Sequence, residues 1–264
     1  MKNLVFALAM SIVALPLCAR AGAAIATPSP SPSPFTTIEI GVSSEQLSKG
    51  KGTWTGTSAG ITHQFAPRTD VYGTARIDSR FGNTDDTYTG GLYLPSSPNT
   101  ILNVEASFSP THNVLPQRDL EVSLDHRLAS GWGYTLGTRN RGYTAVEVQG
   151  GWLLVDRYWR NFRAAYSLNG SHLSNVPGVA FGHTLLFTDY YGIEGTNSVT
   201  LSFNAGREVE NTGTAVLASS VTGATLGGVH WLSPAFGFSW SASTLRQGTL
   251  YSRSGVQIGL RSRF

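Results

Sequence analysis

The chain closes on Tyr251-Ser-Arg-Ser-Gly-Val-Gln-Ile-Gly-Leu-Arg-Ser-Arg-Phe264. From Gly255 onward Val256, Ile258, Leu260 and Phe264 share one parity, with Ser262 the only polar member of that row. Gly255, Gln257, Gly259, Arg261 and Arg263 form the other row. A period of two is a strand, because successive side chains point to opposite faces. Its polar row carries arginines and glycines, and the strand ends on an aromatic residue, Phe264. This is the form of the terminal strand by which outer-membrane β-barrels are recognised for assembly. If it is the seam of a closed sheet, every earlier segment must be an antiparallel partner.

Composition agrees with that demand. Only 13% of the 264 residues are charged, against about 25% in an ordinary globular domain, yet mean hydropathy is near zero. Thirty glycines with abundant Ser and Thr make up the difference, a mixture poor for helices and suited to strands with tight turns. No stretch offers 18 continuous apolar residues, so no membrane-spanning helix is expected; barrel strands escape such a scan because they alternate.

Residues 1–21 read as a secretory signal: Lys2 gives the positive start, Leu4–Leu17 the apolar segment and Ala19-Arg20-Ala21 a small-x-small cleavage site. Cleavage there removes the single cysteine, Cys18, and leaves no disulfide to expect. It also removes Lys2 and Arg20 from 19 basic residues, leaving 17 against 16 acidic ones. The exported chain is then nearly neutral. No basic patch with interleaved aromatics suggests a nucleic-acid partner. Residues 22–35 hold Thr27-Pro-Ser-Pro-Ser-Pro-Ser-Pro34, a Pro/Ser-rich periplasmic spacer of polyproline character.

Residues 36–264 divide into alternating segments of about 9–14 residues, the length of a tilted membrane strand. The predicted architecture is all-β: a closed, antiparallel, up-and-down transmembrane barrel of about 14 strands. Twelve is the alternative, since boundary errors can hide or invent a hairpin. In Arg118–Leu128 the apolar row is Leu120, Val122 and Leu124. In Tyr143–Val155, Val146, Val148, Trp152 and Leu154 oppose Glu147 and Gln149, which predicts the aliphatic and Trp row outward and Glu147 inward. Thr53–Phe65 has the weakest alternation. Aromatics gather at segment ends, as at Trp132, Tyr134, Tyr158, Trp159, Tyr190 and Tyr191, where a bilayer meets water. With both barrel ends in the periplasm, Ser109–Gln117 is the longest outer connection, and none is long enough for an internal plug.

The predicted inward rows carry Arg76, Asp78, Arg80, Glu121, Asp125, Arg127, Arg139, Arg141, Glu147, Arg163, Glu208, Arg261 and Arg263. A charge on the lipid side costs about 2–4 kcal/mol near mid-membrane, so their parity itself points to a lumen. Two readings stand: a water-filled, weakly selective channel, or charges that pair across the lumen and hold it shut. An enzyme acting on lipid is a third. It needs Ser, His and a carboxylate or Asn together; the candidates are His112 with Asn113, His126 with Asp125, and His172 or His183 near Ser171 or Ser174. Asp125 and His126 have opposite parity, which argues against that pair. The scattered histidines predict no metal site, and no cofactor motif is present: the Gly-Gly pairs precede no helix.

Ser109-Pro-Thr-His-Asn-Val-Leu-Pro116, Gly131-Trp-Gly-Tyr134, Arg139-Asn-Arg-Gly-Tyr143, Tyr158 with Asn161-Phe-Arg163, Gly206-Arg-Glu208, Val229-His-Trp231 and the closing Arg-x-Arg-Phe resemble the YaiO-type outer-membrane β-barrel family. The resemblance implies an outer-membrane protein of a Gram-negative bacterium and carries over no catalytic residue. For such a barrel the expected partners are outer-membrane lipid and lipopolysaccharide, with the barrel-assembly machinery reading the strand that ends at Phe264.

Overall fold

The computed structural model describes residues 34–264 except 145 and 212–215, and the side chains of these except 194, 208–211 and 216–218. The secretory signal and all of the proline tract but its last residue therefore lie outside the described residues. The first half of the wall is β1 (Phe35–Leu47), β2 (Thr53–Ala66), β3 (Thr69–Arg80), β4 (Asn83–Ser97), β5 (Thr100–Phe108), β6 (Arg118–Arg127) and β7 (Trp132–Gly142). The second half is β8 (Glu147–Trp159), β9 (Phe162–Leu173), β10 (Val176–Tyr191), β11 (Asn197–Asn211), β12 (Val216–Trp231), β13 (Phe236–Gln247) and β14 (Tyr251–Arg263).

Every strand pairs antiparallel with its chain neighbours, and β1 pairs with β14 to close the barrel. The seam runs from Thr37 opposite Arg263 to Leu47 opposite Arg253. Thr36 N–H donates to Phe264 O at 2.8 Å, and Phe264 N–H donates to Thr36 O at 3.0 Å. Closure removes the unpaired edges that an open sheet would present. β1 starts at Phe35, the last residue assigned above to the spacer. Between β3 and β4 the chain reverses on Phe81 and Gly82 alone, both at positive φ (53° and 80°). Two central residues at positive φ match the twist of paired strands.

One face of each strand is an exposed apolar belt: Ile40 and Val42 on β1, Phe181 and Phe187 on β10, and Val256 and Ile258 on β14 are each 47–59% exposed. A belt of this kind around a whole molecule is a surface made for lipid. Among the described residues no helix is long and apolar enough to cross a membrane. Phe35 and Phe264 share one rim (the near rim), and Ser109–Gln117 lies at the other (the far rim).

Tyr190 of β10, read as part of the interfacial girdle, lines the lumen instead, and β8 departs from the sequence reading along its length. Val148, Trp152, Leu154 and Asp156 of β8 face the lumen, and Glu147, Gln149, Leu153 and Val155 face outward. The ring of Trp152 lies flat on the inner wall over Gly137 of β7. A Cβ at Gly137 would come within 2.0–2.4 Å of that ring, so the close approach depends on glycine.

Candidate functional site

The lumen gathers most of the charged side chains that alternation assigned to it, and it gathers them as pairs. On β3, Arg76 Nε donates to Asp78 at 2.6 Å, and Arg80 reaches the same carboxylate at 3.3 Å. Between β6 and β7, Arg139 grips Asp119 and lies 3.6 Å from Glu121, while Arg141 lies 3.5 Å from Asp119. Arg127 of β6 reaches Asp125 at 2.9 Å and Asp156 at 3.0 Å, and Arg163 of β9 donates to Asp156 at 2.8 Å. Arg261 Nε lies 3.1 Å from Glu39 across the seam, an ionic contact off the hydrogen-bond axis. Asp156 is only 1% exposed. Two guanidiniums over it and the Tyr158 ring, 4.8 and 5.5 Å from Arg127 and Arg163, make its burial tolerable, because a buried charge needs partners.

Glu147 is the correction. It stands on the outer face and pairs at 2.5 Å with Arg118, also outward, beyond the apolar belt. The inward acid on that strand is Asp156. Glu208 sits on β11 opposite Ser219, and its side chain lies outside the described residues. Phe264 points outward at the near rim and is 70% exposed. Arg263 stacks at 4.1 Å on Trp231 and 4.5 Å on Phe35.

The far rim is narrowed in two ways. Leu47, Trp54 and Tyr251, each 2–3% exposed, pack together with Phe81 and Leu250, and Arg80 and Arg253 lie 5.1 and 5.3 Å from the Trp54 ring. In addition, the Ser109–Gln117 connection is fastened to the wall by β4, where Asp86 exchanges bonds with Ser109 and Thr111 and Asp85 makes the largest set. Asp85 accepts the backbone N–H groups of Asn113, Val114 and Leu115 at 2.7–2.9 Å, and Asn113 Nδ2–H at 2.9 Å. In the β7–β8 connection, burial pushes the Tyr143 hydroxyl above its ordinary value, so it stays neutral beside Arg141.

Between mid-wall and the near rim the lumen keeps a cavity of about 280 Å³, lined by Glu121, Asp125, Arg127, Arg163, Arg261, Tyr93, Trp152 and Tyr190 among others. The histidines considered for catalysis are not in it. His126 bonds Thr100 Oγ1 at 2.9 Å, while Asp125 turns to Arg127. His112 meets the carbonyls of Ser109 and Pro110, His172 that of Gly178, and His183 the Tyr166 hydroxyl. Among the described residues no three metal-ligating side chains converge.

A closed, lipid-belted antiparallel barrel with a charged lumen defines an integral outer-membrane β-barrel protein. The YaiO membrane beta barrel domain matches residues 35–211, more than half of the chain, and the chain belongs to that family. Among curated proteins none matches. Solved structures of the same fold include the CymD monoaromatic hydrocarbon channel (TM-score 0.58, 7% identity, 88% of each chain covered). A bacterial polysaccharide outer membrane secretin aligns with a TM-score of 0.52 and 11% identity over 87% of this chain and 98% of that one. Omp33 of Acinetobacter baumannii aligns with a TM-score of 0.50 and 12% identity over 87% of this chain and 99% of that one. At such identities the likeness is one of fold.

Proposed function

We propose that this barrel is a narrow, weakly selective passive channel of the outer membrane, with no catalytic role, the near rim facing the periplasm. The observation that carries this reading is the lumenal cavity bounded by charges of both signs that remain partly accessible: the side chains of Arg127, Arg163, Asp125 and Glu121 are 19–25% exposed. Paired charges cancel at a distance and leave little field to sort cations from anions. Orientation follows from the connections, since the longest one is at the far rim and outer-membrane barrels keep their short turns in the periplasm. The apolar belt then meets outer-membrane lipid and, in the outer leaflet, lipopolysaccharide, and the β14 strand with Phe264 is the segment read by the assembly machinery.

The buried cluster of Leu47, Trp54 and Tyr251 favours a second reading, a closed structural or accessory barrel. Proteoliposome swelling separates the two. A channel gives swelling in small polar solutes such as glycerol and glucose at rates that fall with solute size. A closed barrel leaves the liposomes at the protein-free rate.

A further inference from the structure

The lumenal cavity combines aromatic platforms with a ring of hydrogen-bonding groups, and every arginine on its lining already has an acid partner. Trp152 lies flat on the wall over Gly137, which leaves its other face toward the cavity. Tyr93, 5.7 Å from Tyr72, and Tyr190, stacked with Tyr158 at 6.3 Å, line the same space. Arg127 and Arg163 are tied to Asp156, and Arg261 to Glu39. Glu121 is tied in turn to Arg139. An anion or cation entering would therefore find its counter-charge already engaged. A neutral solute with many hydroxyls would find donors and acceptors side by side, and an aromatic face for its C–H surface.

From this we infer that the cavity is a binding site for neutral saccharide, on the path of the channel proposed above. The inference rests on that reading for its purpose but not for its test. An aromatic ring offers a flat, electron-rich face, and the axial C–H groups of a pyranose are flat and weakly positive. Paired guanidinium and carboxylate groups can donate and accept at neighbouring positions, which suits vicinal hydroxyls. At about 280 Å³ the cavity is near the small end of ligand sites, with room for about one or two sugar rings. Binding on a conduction path must also be weak enough to let the solute leave, so dissociation constants on the order of millimolar are expected.

The test is calorimetric titration of the detergent-folded barrel with maltotriose, cellotriose and diacetylchitobiose, beside sodium glutamate and spermidine as ionic probes. The expected result is saturable binding of at least one of the three sugars. It should weaken about tenfold in Trp152→Ala, the scale of one lost aromatic face, recover largely in Trp152→Phe and stay unchanged in the outward-facing Trp240→Phe. If Trp152→Ala does not fold, Tyr93→Leu carries the same expectation. Absence of binding by all three sugars, tighter binding of an ionic probe, or binding indifferent to both Trp152 and Tyr93 overturns the saccharide site. None of these outcomes depends on conduction. A barrel that swells liposomes but binds no sugar contradicts only this inference, and one that binds sugar without swelling liposomes contradicts only the channel.

Discussion

Asp156 shows how a single side chain sets the electrostatics of this lumen. It is 1% exposed and receives Arg127 and Arg163 together. Breaking a buried pair by removing one partner costs about 3–5 kcal/mol, because the remaining charges are left desolvated without compensation. Asp156→Asn should therefore lower the stability of the folded barrel by about 3–5 kcal/mol, read as an earlier urea midpoint in detergent. The exposed outward pair Arg118–Glu147 is a fair control. Glu147→Gln should leave the midpoint unchanged, since surface ion pairs contribute little.

At the scale of elements, two pieces carry more than their length suggests: the connection pinned by Asp85, and β8. Asp85 accepts four of the bonds that hold Ser109–Gln117, beside the neutral bonds of Asp86 to Ser109 and Thr111, and bonds to a charged group are each worth about 1.5–3 kcal/mol. Asp85→Ala should loosen the stretch around Asn113, Val114 and Leu115 while leaving the barrel closed. The measurement is limited proteolysis of proteoliposomes, where cleavage confined to residues 109–117 is expected in the variant and an intact chain in the wild type.

β8 also marks where the sequence stopped being legible. Val148, Trp152 and Leu154 look like a lipid row, but Leu153 and Val155 supply an apolar row of the opposite parity. Charge did not decide the strand either, because Asp156 shares parity with Trp152 while the adjacent Arg157 has the opposite parity and lies outward over Trp132. Elsewhere charge and apolar rows agreed, and alternation alone placed Arg76, Asp78, Glu121, Arg139, Arg163 and Arg261 on the inner wall. Asp119 shares the parity of Glu121 and was open to the same argument. Partners such as Glu39 for Arg261 depend on the closing register of β1 against β14, which no local period contains. The Leu47–Trp54–Tyr251 cluster was hidden for the same reason, because its members meet only once the ends of the barrel meet. Nothing in the local pattern around Asp85 gives it a connection about 30 residues away to hold.

For the whole molecule, a lumen of paired charges around a residual cavity amounts to a narrow path without strong ion preference. That account makes a signed prediction, because the pairs can be unbalanced from one side. Removing Arg139 and Arg141 leaves Asp119 and Glu121 without their guanidiniums and turns that part of the wall negative. The measurement that tests this most directly is planar-bilayer conductance under a salt gradient, wild type beside Arg139→Ala/Arg141→Ala, each first checked for heat-modifiable folding. The account predicts small discrete steps with nearly equal cation and anion permeability in the wild type, and a reversal potential shifted toward cation selectivity in the double variant. A folded wild-type barrel that conducts nothing, or a double variant with unchanged selectivity, would contradict it.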